Sequence, residues 1–252
     1  MRTLWVAVVA FLLLPSAFTS AQQPKACDVP DALIATDNLL SRVALVARDR
    51  KKLDIVVFGT GSSVLPGQNG PANAYPARLQ AALRERLPKI EVNVVSAIKT
   101  GHSAGDMVKE LDTILSKDQP GLVIWQTGTY DAIHGLQVDE FHIEITDGLE
   151  KLKAAGVDAV LVNMQYSPRT ETMIALDAYA DAMRLAAREQ GVPLFDRLAL
   201  MRHWNDIGAF DLYASVKDPA MAQQVHDCLG RALATLVIES GQLSAYESKA
   251  SR

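Results

Sequence analysis

The sequence predicts an α/β fold, a three-layer sandwich in which a five-stranded parallel sheet is covered by helices on both faces. Three observations carry this. Five short segments (53–58, 91–96, 122–126, 159–163 and 193–196) each precede a longer segment with apolar residues at helical spacing. The strand segments are mostly apolar throughout instead of alternating, as expected for strands buried on both faces. Glycine, serine and other polar residues collect immediately after four of the strands. With 252 residues, 49% of them hydrophobic and 21% charged, the chain has an ordinary globular composition and length for one domain.

The start of the chain stands apart from that domain. Arg2 precedes an eleven-residue apolar run, 4–14, which Pro15 breaks. Small residues follow up to Ala21. This is the pattern of a secretory signal peptide cleaved after Ala21, and the run is far short of the ~20 residues of a spanning helix. The expected organisation is a signal peptide over 1–21, a single domain over 22–240 and a polar tail over 241–252. Within the domain, 30–48 has helix-like spacing. The first strand, 53–58, then leads into Gly59-Thr60-Gly61-Ser62-Ser63 and a turn at Pro66-Gly67. Helices are expected over 75–87, ended by Pro88, and over 106–116. Others are expected over 141–155, closed by Gly156, and over 171–190, stopped by Gly191. A short helix over 198–205 and a final one over 220–238 complete the chain.

Export gives the two cysteines a meaning. Cys27 and Cys228 are an even pair in an oxidising compartment, most simply one disulfide tying the N-terminal segment to the last helix. A cross-link over so long a loop contributes on the order of 4–5 kcal/mol by chain entropy. The net charge of -4, without a basic stripe, argues against nucleic-acid binding. Gly59-x-Gly61 lacks the third glycine of a dinucleotide fingerprint, since position 64 is Val64, and no phosphate loop follows. No cofactor and no metal-ligand spacing is expected.

In a parallel sheet the loops Ser62-Ser63, Gly101, Tyr130-Asp131 and Gln165-Tyr166-Ser167 share one edge, where ligands bind in such folds. A hydroxyl nucleophile there needs a base to take its proton and donors for an oxyanion. Gly61-Ser62-Ser63-Val64-Leu65-Pro66-Gly67 resembles the first block of the SGNH, or GDSL, hydrolases, G-D-S-L-T-x-G. Gly101 falls on the family's oxyanion glycine, and Gly128-Thr129-Tyr130-Asp131 on its third block, G-x-N-D. The segments 122–126 and 165–168 look like an exported bacterial branch. The resemblance covers roughly 53–236. It implies a flavodoxin-like SGNH fold, with Ser63 as nucleophile and the Ser63 and Gly101 N–H groups at the oxyanion. The substrate it implies is a small acyl ester or an acylated envelope glycan.

Two departures weigh against that chemistry. Tyr130 stands where the family has the oxyanion asparagine, and loss of one such donor costs ~10²–10³ in rate. The last block should read D-x-x-H, yet no histidine lies between Asp211 and Val225, and neither Asp211 nor Asp218 has one three residues on. The general base is therefore unassigned. His226, His102 and His134 are the substitutes near the edge; His142 and His203 read as structural. Two readings stand: an exported esterase or acyltransferase with a relocated base, or a periplasmic pseudo-hydrolase that binds a glycan, lipid or protein. The double loss tilts the balance toward impaired or absent ester hydrolysis.

Overall fold

The computed structural model describes residues 27–213 and 219–248; the expected signal peptide and Asp218 lie outside them. Five strands form one parallel sheet: β1 (Lys52–Gly59), β2 (Glu91–Ile98), β3 (Leu122–Gln126), β4 (Asp158–Val162) and β5 (Leu194–Phe195). Their order is β2-β1-β3-β4-β5. The chain thus reverses its direction of growth between β1 and β3. In doubly wound sheets the crevice for a ligand opens at the C-terminal ends of such a pair. The central strands are buried because they are apolar: all five residues of β3 are buried, and Phe58 of β1 stacks on Trp125 of β3. The edge strand β2 carries polar residues and is largely half-exposed, which suits an edge.

Ten α-helices pack around the sheet among the described residues. They are α1 (Ser41–Arg50), α2 (Gly70–Asn73), α3 (Tyr75–Arg86), α4 (Ala104–Asp118), α5 (Thr129–Ile133), α6 (Val138–Ala154), α7 (Pro168–Glu171), α8 (Leu176–Gln190), α9 (Arg197–Asp206) and α10 (Pro219–Ser240). Several boundaries follow local chemistry. A capping box between Ser103 and Asp106 starts α4, and Gly191, in the left-handed region at φ 65°, ends α8.

Three expectations change. The helix expected over 30–48 is a 3-10 turn, Asp31–Leu33, and then α1. Between them the Leu40 N–H donates to the Ser240 carbonyl at 2.8 Å and Asn38 to the Val192 carbonyl at 2.9 Å, so tertiary bonds replace helical ones. The helix expected over 171–190 is split into α7 and α8, with the Thr172 hydroxyl bonded back to the Arg169 carbonyl at 2.9 Å. The polar tail, expected to lie outside the domain, packs onto it through Ser248. Leu243 is buried, Glu247 pairs with Arg86 at 2.8 Å, and the Ser248 N–H donates to the Arg86 carbonyl at 2.9 Å. The Cys27–Cys228 disulfide is present and ties the start of the described chain to α10. No helix among the described residues is long and apolar enough to cross a membrane.

Candidate active site

β1 delivers the chain to the sheet edge and then turns sharply. After Thr60 comes a single 3-10 turn, Gly61–Ser63, closed by the Ser63 N–H on the Thr60 carbonyl at 2.9 Å. The turn folds the Ser63 side chain back beneath the strand end. A Cβ on Gly59 would sit 2.3 Å from Ser63 Oγ, so position 59 has room for no side chain. Ser63 is fully buried. Expected to present its hydroxyl to a ligand, it presents it to the interior.

The partners of that hydroxyl fix its chemistry. Ser63 Oγ lies 2.8 Å from Gln126 Oε1 and 2.9 Å from the Tyr75 hydroxyl. Gln126 Oε1 only accepts, so Ser63 donates to it, and Tyr75 donates to Ser63. The same amide oxygen accepts from the Thr60 N–H and the Thr60 hydroxyl, each at 3.0 Å, and stands 3.3 Å from Ser62 Oγ. Gln126 is the last residue of β3, so its side chain ties the β1 turn across the point where the strand order reverses. An amide oxygen is not a base, and nothing in this chain of bonds takes a proton from Ser63. Burial pushes the Tyr75 phenol above its ordinary value, which keeps it neutral.

His226 arrives from the other side. Helices α3 and α10 cross where a Cβ on Gly230 would lie 2.6 Å from Arg78 Cβ and 2.8 Å from the Arg78–Leu79 backbone. That close approach sets His226, one turn earlier, over the N-terminus of α3. There Nδ1 accepts the Tyr75 backbone N–H at 3.0 Å, a helix-terminal donor without an intrahelical partner. Burial, then the nearby Arg197 cation, lower the His226 pKa to about 3. The ring is neutral with Nδ1 occupied, so its proton sits on Nε2. A serine base needs the opposite arrangement, a free lone pair facing the hydroxyl and a proton on the nitrogen held by an acid.

Arg197, at the first position of α9, lies behind the turn and is 1% exposed. Its Nη1 donates to Ser62 Oγ at 3.2 Å. Nη2 donates to the Ser62 carbonyl at 3.1 Å and to Gln165 Oε1 at 2.9 Å. The guanidinium also stands 5.6 Å from the centre of the Tyr75 ring. Burial draws its pKa down to about 10, so it remains a cation at neutral pH. Among the described residues no carboxylate lies within ion-pair distance of it.

A pocket of about 260 Å³ opens beside this cluster. Gly61, Ser62, Gln165 and His226 are the polar part of its lining. Val64, Leu65, Tyr166, Met201, Leu212 and Val225 form apolar walls. Ser62, partly exposed, is the serine of the turn that reaches it. The other expected site residues stand elsewhere. Gly101 is exposed in the turn after β2, in the left-handed region at φ 76°. Tyr130 lies in α5 with its ring stacked on His134, centroids 3.8 Å apart. Neither lines the pocket. Asp131 of the same block is buried and accepts the Ala104 N–H at 2.9 Å, where it caps α4; burial raises its pKa. His102 faces Glu110 at 3.1 Å and His142 faces Glu189 at 3.0 Å. None of Ser63, Gly101 and Tyr130 is among the residues that line this pocket.

Sequence reasoning missed Arg197, Tyr75 and Gln126. Gln126 carried a signal, a polar residue ending an otherwise apolar strand. Arg197 carried none, because its burial comes from packing between distant segments. No group of three side chains that could ligate a metal ion occurs among the described residues.

The arrangement is that of an SGNH-type hydrolase fold, a five-stranded parallel sheet with helices on both faces, and solved esterases share it. An acetylxylan esterase from Geobacillus stearothermophilus, Axe2, solved as a catalytic mutant, superposes with a TM-score of 0.61 at 15% identity, over 73% of this chain and 94% of that one. TesA superposes with a TM-score of 0.58 at 20% identity, over 73% and 99%. LAE5, an alpha/beta hydrolase enzyme from the metagenome of Lake Arreo in Spain, gives 0.57 at 17%, over 76% and 96%. No curated protein sequence matches the chain. The chain belongs to the non-GDSL lipase-like family, whose model matches residues 26–243.

Proposed function

We propose that this protein is an exported, non-hydrolytic member of the esterase-like fold that binds an acyl compound at the sheet edge. One observation carries the reading: the Ser63 hydroxyl is buried and donates to the neutral amide oxygen of Gln126. A serine becomes nucleophilic when a base accepts its proton as it attacks. In this chain the histidine at the cluster holds its proton on the nitrogen such a step would require to be free. The departures at Tyr130 and across 211–225 point the same way. The signal-peptide pattern and the Cys27–Cys228 disulfide support export to an oxidising compartment. The ester or acylated-glycan chemistry of the fold's relatives suggests the ligand: an acyl group held without being cleaved.

The test is covalent labelling of the folded mature protein with a fluorophosphonate, read by intact mass, beside the Ser63→Ala variant. Neither protein is expected to gain the phosphonyl adduct, and neither is expected to turn over short nitrophenyl esters above the buffer rate. A wild-type adduct that disappears in Ser63→Ala would establish Ser63 as an activated nucleophile and overturn the reading.

A further inference from the structure

We infer that the 260 Å³ pocket binds a small organic acid as its carboxylate anion, with Ser62 and His226 donating to the carboxylate and the buried Arg197 supplying the balancing charge from behind. This rests on the reading of the chain as a non-hydrolytic binder and names the ligand class that reading leaves open.

The first ground is charge. A fully buried guanidinium is retained in proteins when it is paired, because an isolated buried ion is costly. Arg197 donates to neutral oxygens: Ser62 Oγ, the Ser62 carbonyl and Gln165 Oε1. Its Nε–H has no acceptor among the described residues. Two of those partners, Ser62 and Gln165, are wall residues of the pocket, so the cation, which has no carboxylate partner among the described residues, lies one side chain behind the cavity surface. An anion placed there completes the site.

The second ground is the direction of the hydrogen bonds. Ser62 Oγ accepts from Arg197, which commits one of its lone pairs and leaves its own proton to donate. That proton's acceptor is Gln126 Oε1 at 3.3 Å, the longest of four contacts on one crowded oxygen. A carboxylate in the pocket is a better acceptor. His226 lines the same pocket, and with Nδ1 held by the Tyr75 N–H it offers an Nε2–H donor. The pocket lining thus presents donors backed by a cation, which fits an anion better than a neutral ester carbonyl.

The third ground is shape. The remaining walls are apolar, and 260 Å³ is room for about nine water-sized groups at ~30 Å³ each. A short aliphatic acid fits that volume, with its chain against Val64, Met201 and Val225 and its head at Ser62.

Hexanoate, methyl hexanoate and 1-hexanol are the probes, titrated calorimetrically into the folded mature protein. Hexanoate is expected to bind about tenfold or more tightly than the ester or the alcohol, the scale of one charge-assisted hydrogen bond. Arg197→Met is expected to abolish that preference, and Arg197→Lys to keep part of it. Because Arg197 is buried, its variants are read only where circular dichroism shows a folded protein. Ala222→Trp, on the pocket-lining face of α10 one turn before His226, fills the cavity while leaving Arg197 in place and is expected to lose hexanoate binding. Equal binding of all three probes would overturn the carboxylate inference and leave the non-hydrolytic reading standing. No binding of hexanoate, or binding unaltered in Ala222→Trp, would overturn the inference as well. Release of methanol from the methyl ester would instead sink the non-hydrolytic reading, and the hexanoate preference would be judged separately.

Discussion

Two regions at the same sheet edge have taken opposite courses. After β1, hydroxyls and an amide are folded inward into a closed knot: Tyr75 donates to Ser63, Ser63 to Gln126, and Thr60 to the same Gln126 oxygen. After β3, Tyr130 lies partly exposed and stacked on His134, while its neighbour Asp131 turns in to cap α4. The first region has nucleophile-type groups with no freedom, and the second has freedom without a group that completes an oxyanion site. A hydroxyl satisfied by internal partners contributes to stability, and a hydroxyl poised for chemistry is left a proton acceptor. The knot belongs to the first kind.

Four measurements break or sharpen that contrast, beginning with the largest effect. His226 has its pKa lowered from 6.5 to about 3 in the folded protein. The unfolded chain therefore binds the extra proton first. The stability linked to this group is fully present above pH 6.5 and is lost as pH falls toward about 3, with a ceiling on the order of 4–5 kcal/mol. Urea denaturation across that range, compared with His226→Gln, is expected to show a shallower acid loss in the variant. Equal slopes would mean that His226 is not held neutral.

Next comes Gln126→Leu. It strips the acceptor from the buried Thr60 and Ser63 donors and is expected to cost about 3 kcal/mol, since each buried donor left unmade costs about 1–3. A loss under about 1 kcal/mol would show that the knot has other acceptors within reach. Ser63→Ala removes one donor and one acceptor from the same knot. The expected loss is about 1 kcal/mol in chemical denaturation, with ester turnover at the buffer rate in both proteins. Smallest is Tyr130→Ala on the open side, expected to stay within about 0.5 kcal/mol of wild type, as is usual for surface changes. A larger loss there than at Ser63 would reverse the comparison.

Much of the architecture was legible in the chain. Five apolar runs separated by helical spacing marked out the sheet, because burial on both faces leaves a local mark on every strand. The Cys27–Cys228 pairing followed from two cysteines and the expectation of export, and the disulfide is in place. Blocks at the ends of β1, β2 and β3 pointed to the hydrolase fold. The missing last-block histidine was equally plain, since an absent residue can be read without coordinates.

The site was legible only in part. The sequence placed Ser63 in a glycine-rich turn, but a 3-10 turn of two adjacent serines leaves open which hydroxyl faces out. Contact with Gln126 and Tyr75, 63 and 12 residues away, decided that Ser63 faces in. His226 read as a weak candidate base. Its role as an acceptor for the Tyr75 N–H, 151 residues distant, depends on how closely α10 meets α3 at Gly230. Arg197 gave no sign of itself, because a cation loses its solvent only when separate segments close around it. The sequence by itself determined the strands, most of the helices and the departures from the hydrolase motifs, all of which are set by residue type and local spacing. Which way each polar group points, which proton it holds and which charge is buried were decided by tertiary packing, since these depend on partners that the order of the chain does not put side by side.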